Sequence, residues 1–111
     1  SEGGRTSAET VRMVHDYLLE HLSERVTIEE LSRQFHINPT TLKRAFKDEY
    51  GSSIAAHTKE HRMERAEILL REGKGSVSDV ARAVGFDSAS RFTAAFKEKY
   101  GISPSDYRRK K

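Results

Sequence analysis

Residues 27–51 and 76–101 are one supersecondary unit written twice, and that repeat limits the fold more than any other feature of the chain. The first copy reads TIEELSRQFHINPTTLKRAFKDEYG and the second SVSDVARAVGFDSASRFTAAFKEKYG. Ile28 pairs with Val77, Leu31 with Val80, Arg33 with Arg82, Phe35 with Val84 and Ile37 with Phe86. Beyond the turn, Leu42 pairs with Phe92, Phe46 with Phe96, Lys47 with Lys97, Tyr50 with Tyr100 and Gly51 with Gly101. The second turn is longer by a single residue.

Each copy spells two short helices. Thr27 with Glu30 is a capping-box pattern, and Ser76 with Asp79 is a weaker form of it. Asn38 before Pro39 supplies a side-chain acceptor and a pre-set φ at a second helix start, with Ser88 as its counterpart. The first helix of each pair stops at His36 or Gly85, where a tight turn wants positive φ; Gly adopts it freely and His is among the few other residues enriched there. Gly51 and Gly101 close the second helices.

Apolar side chains recur at three- and four-residue spacings: Ile28, Leu31 and Phe35; Val77, Val80 and Val84; Leu42, Phe46 and Tyr50; Phe92, Phe96 and Tyr100. Upstream, Val11, Val14, Leu18 and Leu22 make a stripe on a helix over about residues 8–24, and residues 53–72 read as one long helix with Ile54, Ala66, Leu69 and Leu70. A last helix opens at Ser103-Pro104 with Asp106 in its first turn. The expectation is an all-α chain of seven helices, two helix-turn-helix subdomains joined by a long linker helix. Residues 1–7 read as a linker or the remnant of a junction, 8–52 as the first subdomain, 53–73 as the linker helix and 74–111 as the second subdomain.

Composition narrows the chemistry. About a fifth of the chain is Leu, Ile, Val or Phe, just above the level at which disorder becomes the default. The absence of cysteine excludes disulfide scaffolds, thiolate catalysis and Cys-ligated zinc. No apolar run approaches the roughly 20 residues of a membrane helix, and no signal-peptide core is present, so a cytoplasmic protein is expected. The net charge is only +3, but residues 76–111 hold twice as many basic as acidic side chains, ending in Arg108, Arg109, Lys110 and Lys111. The plain reading of that tail is a frayed, solvated end.

Two short helices around a tight turn can place the second in the DNA major groove, which is about 12 Å wide and admits one helix. Its outer face must then be polar and basic. In the first copy Thr40, Lys43, Arg44 and Lys47 share one side, opposite Leu42 and Phe46. Lys43 and Arg44 can donate to guanine O6 and N7, Thr40 can meet a base edge or a thymine methyl, and Lys47 suits a phosphate. The same face of the second copy holds Ser90, Thr93, Ala94 and Lys97, with Arg91 beside it. Leu42, Phe46, Phe92 and Phe96 are expected in the core.

From about Val11 to Arg109 the chain resembles the DNA-binding domain of the AraC/XylS family of bacterial transcription regulators. The likeness rests on Ala81-Arg82-Ala83-Val84-Gly85-Phe86-Asp87, then Phe92, Phe96-Lys97, Gly101-Ile102-Ser103-Pro104 and Tyr107-Arg108. It implies two helix-turn-helix subdomains entering successive major grooves on one face of double-stranded DNA. It also implies promoter activation through contact with RNA polymerase, often under a separate N-terminal effector or dimerisation domain. By position, Thr40, Lys43 and Arg44 match base-contacting positions of the first recognition helix; Ser90, Arg91 and Thr93 lie at those of the second. The chain departs from the family at Ile54, where Pro is usual, at His57, where Tyr is usual, and at Ala94, where a base-reading Arg is common. The first subdomain is therefore expected to supply most direct readout, and the second mainly phosphate anchoring through Lys97.

Two other readings compete. His57-Thr58-Lys59-Glu60-His61 spells H-x-x-E-H, a zinc-hydrolase pattern. A third ligand is needed, no His or Cys follows His61, and the expectation is a packing role for both histidines with no metal or other cofactor. A helical protein-interaction module without DNA binding is the other, supported by the low net charge alone. No nucleophile-base constellation or glycine-rich phosphate loop is present, so no enzymatic activity is expected.

Overall fold

A computed structural model describes residues 5–110, and among them the chain forms seven α-helices and no strand. In order these are α1 Ser7–Glu20, α2 Ile28–Phe35, α3 Pro39–Tyr50, α4 Ile54–Arg71, α5 Val77–Ala83, α6 Ala89–Tyr100 and α7 Pro104–Lys110. Residues 1–4, part of the expected leading linker, and Lys111 lie outside the described residues. The chain divides into two compact units, residues 1–59 and 60–111, and the division falls inside α4.

In the first unit α1, α2 and α3 enclose Val11, Val14, Leu18, Leu31, Leu42 and Phe46, and Ile54 of α4 closes the cluster. In the second, Val80, Ala81, Val84, Phe92 and Phe96 gather with Met63, Ala66 and Leu70, and Tyr107 of α7 packs on their edge. No single stripe marks α4, because its start serves one core and its remainder the other. The expected stripe omitted Met63, which is fully buried.

The helix starts are where the side-chain acceptors put them. Thr27 with Glu30 and Ser76 with Asp79 both form complete capping boxes. A third box, Thr6 with Glu9, starts α1 inside the segment expected to be a linker. Asn38 Oδ1 accepts the Thr40 and Thr41 amides at 2.8 and 3.3 Å, and Ser88 Oγ accepts that of Arg91 at 3.0 Å. The two turns also follow the reading: His36 has φ 54° and Gly85 φ 95°. At its other end α1 stops at Glu20, short of the expected residue 24. Its last turn tightens there, with His21 N–H donating to Leu18 O at 3.2 Å and Glu24 N–H to His21 O at 3.0 Å.

The boxes make stability respond to acid. Glu9, Glu30 and Asp79 accept the N–H of their own cap residue at 2.9, 2.8 and 3.0 Å. That bond favours the ionised form and holds each carboxyl below its ordinary value, 4.5 for Glu and 3.8 for Asp. A group whose pKa falls on folding contributes stability that is complete above the unfolded value and is lost as pH drops through the folded one. Urea midpoints are therefore expected to be flat above about pH 6 and to decline through and below the ordinary carboxylate range. Glu30→Gln, which keeps an acceptor but cannot ionise, should make that decline shallower; an unchanged profile would remove Glu30 from the account.

Candidate nucleic-acid interface

Helices α3 and α6, each of 12 residues, occupy equivalent places in the two units. Leu42 and Phe46 anchor one side of α3 in the first core, and Phe92 and Phe96 do so for α6 in the second; all four are fully buried. Rings extend each anchor along the helix: Phe46 lies 4.8 Å from Tyr50, and Phe96 lies 4.6 Å from Tyr100. Around α6, Phe86 meets Phe92 edge-on at 5.5 Å and Tyr107 meets Phe96 at 5.6 Å. With one side pinned, each helix must turn the opposite side to solvent.

On α3 that outer side carries Thr40, Lys43, Arg44 and Lys47, all exposed. On α6 it carries Ser90, Ala94 and Lys97, also exposed, while Thr93 is half-buried. Arg91 is exposed too, but with about 100° of rotation per residue it stands beside this face, over a quarter turn from Ser90. The structure thus brings the four expected residues of α3 together on one open face. Of the four on α6, it leaves Ser90 and Lys97 on the face, draws Thr93 toward the core side and sets Arg91 off to the flank.

The cations of these faces stand outside the ion pairs of the surface. Among the described residues, no ion pair holds Lys43, Arg44, Lys47, Arg91 or Lys97. Elsewhere Arg12 meets Glu49 at 3.1 Å, Arg71 meets Glu67 at 2.9 Å, Arg82 meets Asp79 at 2.8 Å, and Lys99 and Arg109 pair with Glu60 and Asp106. Helices α1, α2, α5 and α7 each carry an acidic residue in the first turn, whereas α3, α4 and α6 carry none. The positive ends of the α3 and α6 dipoles are therefore not offset by a carboxylate of their own first turn.

At the C-terminal end of α6, Lys97 shares a depression of about 340 Å³ with Asp106, Arg109 and Lys110 of α7, the first two of these paired with each other. Residues 108–110 are helical, unlike the frayed end their composition suggests. Helix α7 is held by Tyr107, whose hydroxyl donates to Glu67, and Glu67 also receives both Arg71 contacts, at 2.9 and 3.1 Å. The bond to Glu67, then burial, pushes the Tyr107 phenol up. Sequence reading missed Arg109 and Lys110 as neighbours of Lys97; Asp106 in the first turn of α7 was the signal that the helix continues.

A family model described as a helix-turn-helix domain matches residues 31–110. The C-terminal domain of AraT, a response regulator from Geobacillus stearothermophilus, superposes with a TM-score of 0.85 at 33% identity, covering 92% of this chain and 85% of that one. The DNA-binding domain of AdpA, solved in complex with a target DNA, superposes with a TM-score of 0.83 at 30% identity and 89% of each chain. The HTH-type transcriptional activator RhaS of Escherichia coli O139:H28 is 28% identical over 107 residues, which is 96% of this chain and 38% of RhaS. The chain spans between 11% and 38% of the length of the first curated relatives it matches.

Proposed function

Since the chain belongs to the AraC-type helix-turn-helix family of DNA-binding transcription regulators, we propose that it binds a specific double-stranded site with α3 and α6 as recognition helices in successive major grooves. Thr40, Lys43 and Arg44 read base edges from α3 while Lys47 holds a phosphate. On α6, Ser90, Arg91 and Thr93 take the base-reading positions and Lys97 the phosphate. A single chain would then occupy roughly 20 bp, two grooves one helical turn apart. The observation that carries this reading is the outward face of α3, where Lys43, Arg44 and Lys47 stand together, exposed and with no ion-pair partner among the described residues. A protein surface normally neutralises such groups locally or leaves them scattered, whereas a polyanion requires them aligned. Lys110 beside Lys97 supports phosphate anchoring at the second unit.

The same reading extends to the whole regulator, as a non-enzymatic cytoplasmic activator that contacts RNA polymerase, with an effector or dimerisation domain elsewhere in the longer protein. Among the described residues, no helix is long and apolar enough to cross a membrane. The name of RhaS, an activator, supports the direction of regulation.

Fluorescence anisotropy against a labelled duplex, selected from a random pool and titrated at several salt concentrations, tests the core of the proposal. Each phosphate neutralised releases counterions and contributes about −0.9 to the slope of log K against log salt. A steep negative slope with enrichment of one sequence is expected. A flat slope, or no enrichment, overturns the reading and leaves a protein-interaction module.

A further inference from the structure

We propose that Lys97 and Lys110 close on one and the same phosphate of the duplex backbone, which makes α7 a second arm of the nucleic-acid interface in the unit of residues 60–111. The proposal rests on the DNA-binding reading above and adds α7 to it. Lys97 stands in the last turn of α6 and Lys110 in the last turn of α7, and both line the depression of about 340 Å³ where the two helices join. Of the charged side chains there, two cancel: Asp106 holds Arg109. Lys97 and Lys110 are exposed and have no ion pair among the described residues, so the depression keeps two positive charges from two different helices.

Two like cations beside one open space repel each other unless an acceptor lies between them. A backbone phosphodiester is such an acceptor. It has two unesterified oxygens, and each ammonium can donate to one of them. Lysine suits the task as a compact charge with rotatable donors, since no planar fork is called for.

The arm is fixed in place. Three residues before Lys110, the Tyr107 ring meets Phe96 edge-on at 5.6 Å, and its hydroxyl donates to Glu67. Pro104, fully buried, secures the other end of α7. A lysine on a docked helix loses less freedom on binding than one on a frayed tail.

The repeat assigns this grip to one unit only. Carried past Gly51 and Gly101, the offset of 50 aligns Pro104 with Ile54, Tyr107 with His57 and Lys110 with Glu60. Where the second copy has a cation, the first has a carboxylate, and that carboxylate holds Lys99. Helix α6 also has the poorer reading face, since Ala94 offers no donor and Thr93 is half-buried. A backbone grip at its C-terminal end gives hold and register without base contacts.

The test is the salt dependence of anisotropy for the full chain, with the selected duplex and with a shuffled duplex of equal length. The variants are Lys97→Gln, Lys110→Gln and the two together. Each phosphate neutralised contributes about −0.9 to the slope, and a shared phosphate is still neutralised by either lysine alone. Each single variant is therefore expected to weaken binding to both duplexes while keeping most of the slope. The double variant should make the slope shallower by about 0.9. Singles that each lose about 0.9, with a double that loses about 1.8, would mean two separate phosphates and overturn the proposal. So would a double variant that merely matches Lys97→Gln, which puts Lys110 outside the interface. Arg82→Gln removes a cation that Asp79 already holds at 2.8 Å and should leave the slope unchanged. A fall as large as the double variant's would show net charge acting alone and overturn the proposal as well. The three side chains are exposed, so helical circular dichroism should be retained throughout. A flat slope for the unaltered chain strikes the DNA-binding reading and this one with it; a steep slope with any of the contrary results strikes the role of α7 alone.

Discussion

Exchanging Lys43 and Arg44 together for alanine is expected to cut affinity for the selected duplex by well over an order of magnitude and to relax base preference where they reach. A good bidentate contact to a base is worth roughly 1–3 kcal/mol, about five- to 150-fold each. The two side chains leave α3 adjacent to one another on an open face, with Leu42 and Phe46 fixing the helix behind them. Removing them changes no core contact, so circular dichroism should stay as it is while anisotropy reports the loss. Lys47→Ala should weaken all sequences alike and make the salt slope shallower by about 0.9. Alanine at Ser90, Arg91 and Thr93 should cost less than the α3 pair. On α6 only Ser90 remains squarely on the face as a reader: Thr93 is half-buried, Arg91 stands to the side, and Ala94 has no donor at all. A greater loss of specificity from the α6 variants would reverse the division of labour proposed between the units.

The second large effect is on folding. Phe46→Ala and Phe96→Ala should each destabilise by about 3–5 kcal/mol, the usual cost of emptying a fully buried phenylalanine site. Small domains are stable by only about 5–15 kcal/mol, so either change takes most of what a unit of this size has. Amide exchange resolves which part suffers. Protection should collapse in α1–α3 for Phe46→Ala, and in α5–α7 for Phe96→Ala. Equal loss across both units from either substitution would show that the two clusters do not act as separate cores.

The fold was legible because its signals are local. Caps, tight turns and short apolar stripes are written within a few residues of where they act, and the repeat writes each of them twice. His36 is the sharpest instance: a residue tolerant of positive φ stands opposite a glycine in the other copy, and both backbones take it. What escaped was non-local or divided. Helix α4 hid Met63 because no one face of it is apolar along its length. Helix α1 began earlier than expected because the Thr6 box precedes the apolar stripe that marks a helix. The outer face of α3 could be read from spacing alone, since a pinned helix leaves one side outward. The sideways place of Arg91, the partial burial of Thr93 and the neighbours of Lys97 depend on tertiary packing. His15 meets His57 only through that packing, which no periodicity encodes.

Seven of the seventeen carboxylates of this molecule are occupied in scaffolding. Glu9, Glu30 and Asp79 close helix starts, while Glu49, Glu60, Glu67 and Asp106 each hold a cation or a hydroxyl. A total of +3 therefore understates the field on the outer face of α3, where Lys43, Arg44 and Lys47 stand together without an ion pair among the described residues. If α3 docks as proposed, attraction is strongest on the face that must finally dock, so a misoriented encounter with random duplex is held less well and released sooner. Such a molecule can sample many wrong sequences briefly before it settles on the right one.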